Sequence, residues 1–273
     1  MNPKYADLAA PELARLTEEN LYEFLAALGR GGGSEIERAA ELTRYSDSAI
    51  VSPMFNGVIR TSLPPERADA VIAETLGYFA ARERPLAFWW VGPSSQPADL
   101  GARLLARGLI AFDVDAPSMA ADLHALPAAV PAPGGFTIER VRDEAGARAW
   151  AETFNAVYDT PAWAGQAWAE ALARQGAERA PFRLYLGRLQ GRPVATSMLA
   201  CAAGVAGVLG VGTLPEARGQ GVGAAITLWP YLDARDDGYH VGVLFATELG
   251  RPVYRRLGFR EVGAISRYLW RAG

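Results

Sequence analysis

Cysteine and histidine are nearly missing from these 273 residues, with one Cys at 201 and two His at 124 and 240. A lone thiol excludes an intrachain disulfide, and Cys201, His124 and His240 together fall short of a structural zinc site's ligand set. Metal-free chemistry in a reducing cytoplasm is therefore expected. Neither sign of charge dominates, since 27 Lys plus Arg face 30 Asp plus Glu for a formal charge of −3. No basic footprint for a nucleic-acid backbone or an anionic membrane follows from that balance. Long hydrophobic runs are lacking as well. The longest uncharged apolar stretch, Met198 to Gly212, is shorter than the roughly 20 residues that cross a bilayer. Lys4, Asp7, Glu12 and Arg15 interrupt the first sixteen positions and exclude the apolar core of a signal peptide there.

What is present is an ordinary folding composition, 50% apolar and 21% charged, on a chain long enough for two domains. The uncharged segment LHALPAAVPAPGG, Leu123 to Gly135, reads as a linker, so the expected division is 1–126, a linker at 127–135, and 136–273. Before the linker, periodicity predicts helices over 6–28 (ending at Gly29 and the loop Gly31-Gly32-Gly33), 35–45, 65–82 and 98–107, with strands over 50–60, 86–91 and 109–114. After it, strands are expected over 136–141, 182–189, 193–201, 205–213, 239–247 and 259–270, and helices over 143–158, 163–175, 219–235 and 250–257. Pro230 is expected to kink or end the third of these helices. The turns at Gln190-Gly191-Arg192 and Ala203-Gly204 are short enough to join antiparallel neighbours. The two halves also align: Gly57-Val58 stands 150 positions before Gly207-Val208, and Leu104 to Leu109 stands 150 before Tyr254 to Phe259, as in an internal duplication.

The informative stretch is Val205 to Gly223, a glycine-rich strand that leads through a short loop into Gly219-Gln220-Gly221-Val222-Gly223. Backbone N–H groups at a helix N-terminus lack intrahelical partners and carry the positive end of the macrodipole, so glycines there admit an anion closely. A P-loop is excluded because no Gly-Lys-Ser/Thr ending occurs. A dinucleotide-binding turn is formally matched by Gly219, Gly221 and Ala224, with Glu248 after the next strand. Only about fifty residues remain for the further β-α units that fold requires. Glycines at 207, 210 and 212 signal a bulge or close backbone approach near Val211.

These residues resemble the GCN5-related N-acetyltransferase (GNAT) family across 136–273. The match is carried by Val211-Gly212-Thr213, by Leu214-Pro215-Glu216, by Arg218-Gly219-Gln220-Gly221-Val222-Gly223 on the family's Arg/Gln-x-x-Gly-x-Gly/Ala signature, and by Gly250 to Phe259 on its second signature. The resemblance implies a mixed α/β fold of two GNAT-like domains, each a twisted, mostly antiparallel sheet with flanking helices. It also implies a splayed parallel strand pair formed by 205–213 and 239–247. It implies acetyl-CoA as cosubstrate, with Val211, Gly212, Thr213, Arg218, Gly219, Gln220, Gly221, Val222, Gly223, Ala224, Thr247 and Tyr254 at the cofactor, and the pyrophosphate at the Gly221 position. By the same resemblance Tyr254 is the general acid, and the acceptor is a small-molecule or peptide amine. The family's strand glutamate has no counterpart in 205–213, which leaves Glu152, Asp159 or Glu248 to act through water, or an amine that arrives neutral. Phe154, Tyr158, Trp163 and Trp168 fall on the helices that flank the acceptor cleft, although their helical spacing is also that of core residues. The first half carries Leu104 at the position of Tyr254, and Pro64-Pro65-Glu66-Arg67-Ala68-Asp69 at that of the glycine loop, so it resembles a degenerate copy.

Overall fold

The computed structural model describes residues 2–28 and 34–272; the expected helix end at Gly29 and the loop Gly31-Gly32-Gly33 lie outside the described residues. The N-terminal half runs α1 (Ala10–Leu28), β1 (Ser34–Arg38), β2 (Thr43–Asp47), β3 (Gly57–Ile59), α2 (Ala68–Ala81), β4 (Leu86–Val91), α3 (Leu100–Ala106) and β5 (Ile110–Asp122). The C-terminal half runs β6 (Phe136–Arg140), α4 (Glu144–Tyr158), α5 (Ala162–Gln175), β7 (Arg183–Leu189), β8 (Arg192–Ala202), β9 (Val205–Thr213), α6 (Val222–Asp236), β10 (Val241–Phe245), α7 (Arg251–Leu257) and β11 (Arg260–Arg271). The architecture is the expected mixture of helices and mostly antiparallel strands. Gln190-Gly191 and Ala203-Gly204 have φ of 51°, 79°, 52° and 77°. Paired positive values are those of type I′ turns, whose twist matches their strands, and they set the β7–β8 and β8–β9 registers.

Contacts divide the chain into two compact units, but not at the expected linker. One unit holds residues 1–24 and 118–262, the other 25–117 and 263–273. In the first, residues 118–122 of β5 pair antiparallel with β10, β10 pairs parallel with β9, and β9, β8, β7 and β6 follow antiparallel. In the second, residues 266–271 of β11 pair antiparallel with β4, β4 pairs parallel with β3, and β3, β2 and β1 follow antiparallel. Each half therefore receives its closing strand segment from the other half's last strand. Residues just before the expected linker belong to the core, since Leu123 and Leu126 are buried and the Leu123 amide donates to the His240 carbonyl.

Three local expectations are corrected. Residues 35–45 form a β1–β2 hairpin and not a helix, because pairing of β2 with both β1 and β3 outweighs the helical preference of Glu35 to Leu42. Of 50–60 only Gly57–Ile59 is strand. The chain before it is folded by side chains: Asp47 Oδ1 accepts from the Ala49 and Ile50 amides, and Asn56 Nδ2 donates to the Ile50 and Ser52 carbonyls. The helix expected from Gly219 begins at Val222 and runs on to Asp236 through the buried Pro230.

Pro230 has no N–H, so the Ile226 carbonyl one turn earlier loses its helical donor. Ser197 Oγ, on β8 and fully buried, donates to that carbonyl at 2.8 Å, which lets α6 continue. Ser197→Ala should therefore lower the unfolding free energy by about 1–3 kcal/mol through an unsatisfied buried acceptor. The double variant Ser197→Ala/Pro230→Ala should recover part of the loss, since replacing the proline restores the missing backbone N–H. Urea unfolding of the three proteins checks both statements, and an undiminished loss in the double variant would contradict them.

Candidate active site

The first unit's parallel ladder is short. Ala206, Gly207 and Val208 of β9 pair with Gly242, Val243 and Leu244 of β10, and the register goes no further. Residues 209–213 and 245–247 add no further pairs to this ladder, in keeping with the expected splayed pair. On its other edge β9 pairs Leu209 with Met198 and Gly212 with Thr196, so Gly210 and Val211 together stand opposite Ser197. That is a β-bulge at the expected place, with Gly210 in the left-handed region at φ 59°.

α4 braces the bulge. Its aromatic residues at successive turns, Trp150, Phe154 and Tyr158, contact one another with ring centroids 5.0 and 4.7 Å apart. Trp150 Nε1 donates to the Ser197 carbonyl at 3.2 Å, and the Tyr158 hydroxyl donates to the Val211 carbonyl at 2.7 Å. The glycines of β9 serve three different needs. A Cβ at Gly207 would strike Asn20, one at Gly212 would strike Val157, and Gly210 supplies the turn of the bulge. Asn20, on α1, reaches the carbonyls of Ala200, Ala202 and Val205 at 3.0, 3.1 and 3.1 Å and fixes the β8–β9 turn. Trp168 is core, stacked with Phe24 at 6.0 Å, whereas Trp163 is exposed.

The glycine loop reaches α6 through the 3-10 turn Pro215–Ala217. Arg218 Nε donates to the Thr213 carbonyl at 2.9 Å and Gln220 Nε2 to the Glu216 carbonyl at 3.0 Å, so both side chains brace the loop. Gly219 has φ 73° and open space where a side chain would stand. A Cβ at Gly223 would meet only Thr213 Oγ1, at 3.5 Å. An anion therefore has room at the amides that open this fifteen-residue helix. Val222 is core, and Ala224, like Val211, packs against it. At Gly221 the Cβ direction leads into the Pro131 carbonyl, so the glycine seats the Pro131–Ala132 backbone against the start of α6.

Thr247 lies beyond β10, and its Oγ1 accepts from the Gly250 amide at 3.1 Å while its carbonyl accepts from Arg251, so it caps the turn into α7. Tyr254 is 7% exposed, its ring lying against Gly250 and contacting Phe259 edge-on. Burial pushes its phenol up to about 12. Arg251 and Arg255 both hold Glu261 at 2.6 Å and lock α7 to β11. Glu152, Asp159 and Glu248 are exposed. Cys201, at the far end of β8, has its thiol pushed up to about 11 by burial, which disfavours a nucleophile. The two histidines meet each other, His124 Nε2 to His240 Nδ1 at 2.8 Å, and no group of three metal-ligating side chains occurs among the described residues. Among those residues, no helix is long and apolar enough to cross a membrane.

Residues 128–251 match the family model of an acetyltransferase (GNAT) domain. No curated protein matches the chain. Among solved structures, a GCN5-related N-acetyltransferase from Kribbella flavida superposes with a TM-score of 0.71 at 22% identity, covering 97% of this chain and 98% of that one. A GCN5-related N-acetyltransferase from Sphaerobacter thermophilus gives a TM-score of 0.57 at 17% identity over 100% and 95% of the two chains. A tandem GNAT protein from the clavulanic acid biosynthesis pathway gives 0.57 at 15% identity over 97% of each. The chain thus has the GNAT acetyltransferase fold, and its sequence match to that family's domain lies on the segment that carries the bulge and the glycine loop.

Two outcomes follow from this geometry. Gly221→Ala should lower the melting temperature by several degrees, because the residue sits at φ 87° against the Pro131 carbonyl and each kcal/mol is worth roughly 2–4 °C at this size. Gly219→Ala, at φ 73° but in open space, should cost less; equal losses in thermal melts would contradict the seating of the Pro131–Ala132 backbone. Tyr45, Tyr185, Tyr231 and Tyr254 all have phenols raised by burial. Unfolded tyrosines release protons near their ordinary value of 10.0, while folded Tyr254 keeps its proton to about 12. Stability present below pH 10 should be lost as pH rises through that window. An ultraviolet tyrosinate titration should show these phenols ionising only with unfolding, and free titration of all ten tyrosines in the folded protein would contradict it.

Proposed function

We propose that this chain is an acetyl-CoA-dependent N-acetyltransferase that transfers an acetyl group directly to a small-molecule or peptide amine. The observation that carries the reading is the three-pair β9–β10 ladder that opens at the Gly210–Val211 bulge, beside a helix N-terminus with an open glycine face. Bound acetyl-CoA supplies an activated thioester. The amides around Gly219 to Gly223, at the positive end of α6, bind its phosphates. The Val211 N–H orients the acyl carbonyl and favours developing negative charge on its oxygen. Tyr254 keeps its phenolic proton at neutral pH, as a donor to a departing thiolate must. β9 carries no carboxylate, and we assign no side chain as base.

The other unit is read as a degenerate copy. Gly57 and Val58 pair parallel with Phe88 and Trp89, as the aligned Gly207 and Val208 pair with Val243 and Leu244. Its Leu104 is buried in a hydrophobic cluster where the first unit has Tyr254. The lone, half-buried thiol is consistent with a reducing cytoplasm.

Tyr254→Phe should lower turnover about 100- to 10,000-fold while acetyl-CoA affinity, by calorimetry, stays within about 2-fold and melting is unchanged. Thiol release across an amine panel supplies the turnover. Wild-type protein that binds acetyl-CoA and acetylates no amine would favour a non-catalytic acyl-CoA-binding module.

A further inference from the structure

In a trans peptide the C=O and N–H of one plane point in opposite directions, so fixing a carbonyl fixes the following amide. Both carbonyls of the bulge are fixed by hydroxyl groups, one from β8 and one from α4. Thr196 Oγ1, on β8, donates to the Gly210 carbonyl at 3.0 Å. The Tyr158 hydroxyl, at the end of α4, donates to the Val211 carbonyl at 2.7 Å. The first contact turns the Gly210 carbonyl toward the Thr196 hydroxyl, and therefore turns the Val211 N–H away from it, beyond the point where the β9–β10 ladder ends. The second holds the next peptide plane, so Val211 is clamped at both of its peptide links.

A glycine in a bulge needs such restraint. Gly210 has access to left- and right-handed backbone with little preference, and a peptide free to flip would carry the Val211 N–H with it. Packing alone does not prevent this, because a Cβ at Gly210 would have only ordinary contacts of 3.6 to 3.9 Å with Phe154, Trp150 and Met198. Thr196 is completely buried. Valine would fill its space, so the hydroxyl is explained by its acceptor and not by volume.

We infer that Thr196 and Tyr158 are positioning residues for acyl transfer, which act by clamping the Gly210 and Val211 carbonyls so that the Val211 N–H is held toward the acyl carbonyl. This rests on the function proposed above, and the test separates the two. The thioester carbonyl of acetyl-CoA labelled with carbon-13 is observed by infrared spectroscopy on excess protein. Wild type is expected to lower the stretching frequency relative to free acetyl-CoA. Thr196→Val and Tyr158→Phe should each lose at least about half of that shift, with kcat down about 10- to 100-fold and KM for acetyl-CoA within about 3-fold. Thr196→Ser should restore both. Tyr158 is partly exposed, so its variant serves if the buried site resists substitution. Absence of acetyl-CoA binding by wild type would overturn the proposed function and this inference together. A wild-type shift retained in both variants, or no recovery with serine, would overturn this inference alone.

Discussion

A strand inside a sheet satisfies its backbone on two sides, and β9 does so on both only from Ala206 to Val208. Beyond that point β10 leaves and the β8 side carries the bulge, so the segment most central to the site has the least ladder to hold it. Side chains take over that work. Trp150 holds the Ser197 carbonyl opposite the bulge, Thr196 and Tyr158 hold the two bulge carbonyls, and Ser197 Oγ reaches on to α6. One serine thus joins the strand opposite the bulge to the helix that begins at the glycine loop. The two halves of the candidate site are coupled through a residue that lines neither.

That coupling also explains why part of the site was legible from sequence and part was not. The bulge near Val211, the type I′ turns and the loop-to-helix passage at Gly219 are written in residues next to each other, where glycine spacing and turn chemistry have direct meaning. The supports come from far along the chain. Asn20 meets a turn some 180 positions later, Pro131 meets Gly221, and Ser197 meets Ile226. No local pattern announces such pairings. The β1–β2 hairpin was missed for the same reason, since its strands are stabilised by β3 and not by their own helical composition. The exchanged ends of β5 and β11 could not be read either, because each half contains a last strand of suitable length and pattern. Gly221 is the instructive case: its place in the signature is clear, yet its Cβ direction is taken by the protein's own backbone.

The glycine loop has the same lesson in energetic form. Three glycines at Gly219, Gly221 and Gly223 would each weaken a helix by about 1 kcal/mol relative to alanine, but α6 begins only at Val222. Two of them adopt positive φ, where any other residue would be strained. Sequence alone overstated the helical cost and understated the turn requirement.

The second unit shows what the same topology does without those features. Its parallel pair is shorter still, Gly57 with Phe88 and Val58 with Trp89. A Cβ at Gly57 would strike the Phe88 carbonyl and the Tyr45 hydroxyl; this glycine is needed for packing. Tyr45 is itself tied down, accepting from Trp90 Nε1 at 3.1 Å. The segment that leads to α2 contains Pro64 and Pro65, which have no N–H to offer an anion. Arg67, just before α2, is in helical backbone, with no glycine turn before it. A short parallel ladder therefore does not bring an open glycine loop with it. The short ladder and the open glycine loop are separate features, and among the described residues only the β9-to-α6 passage combines them.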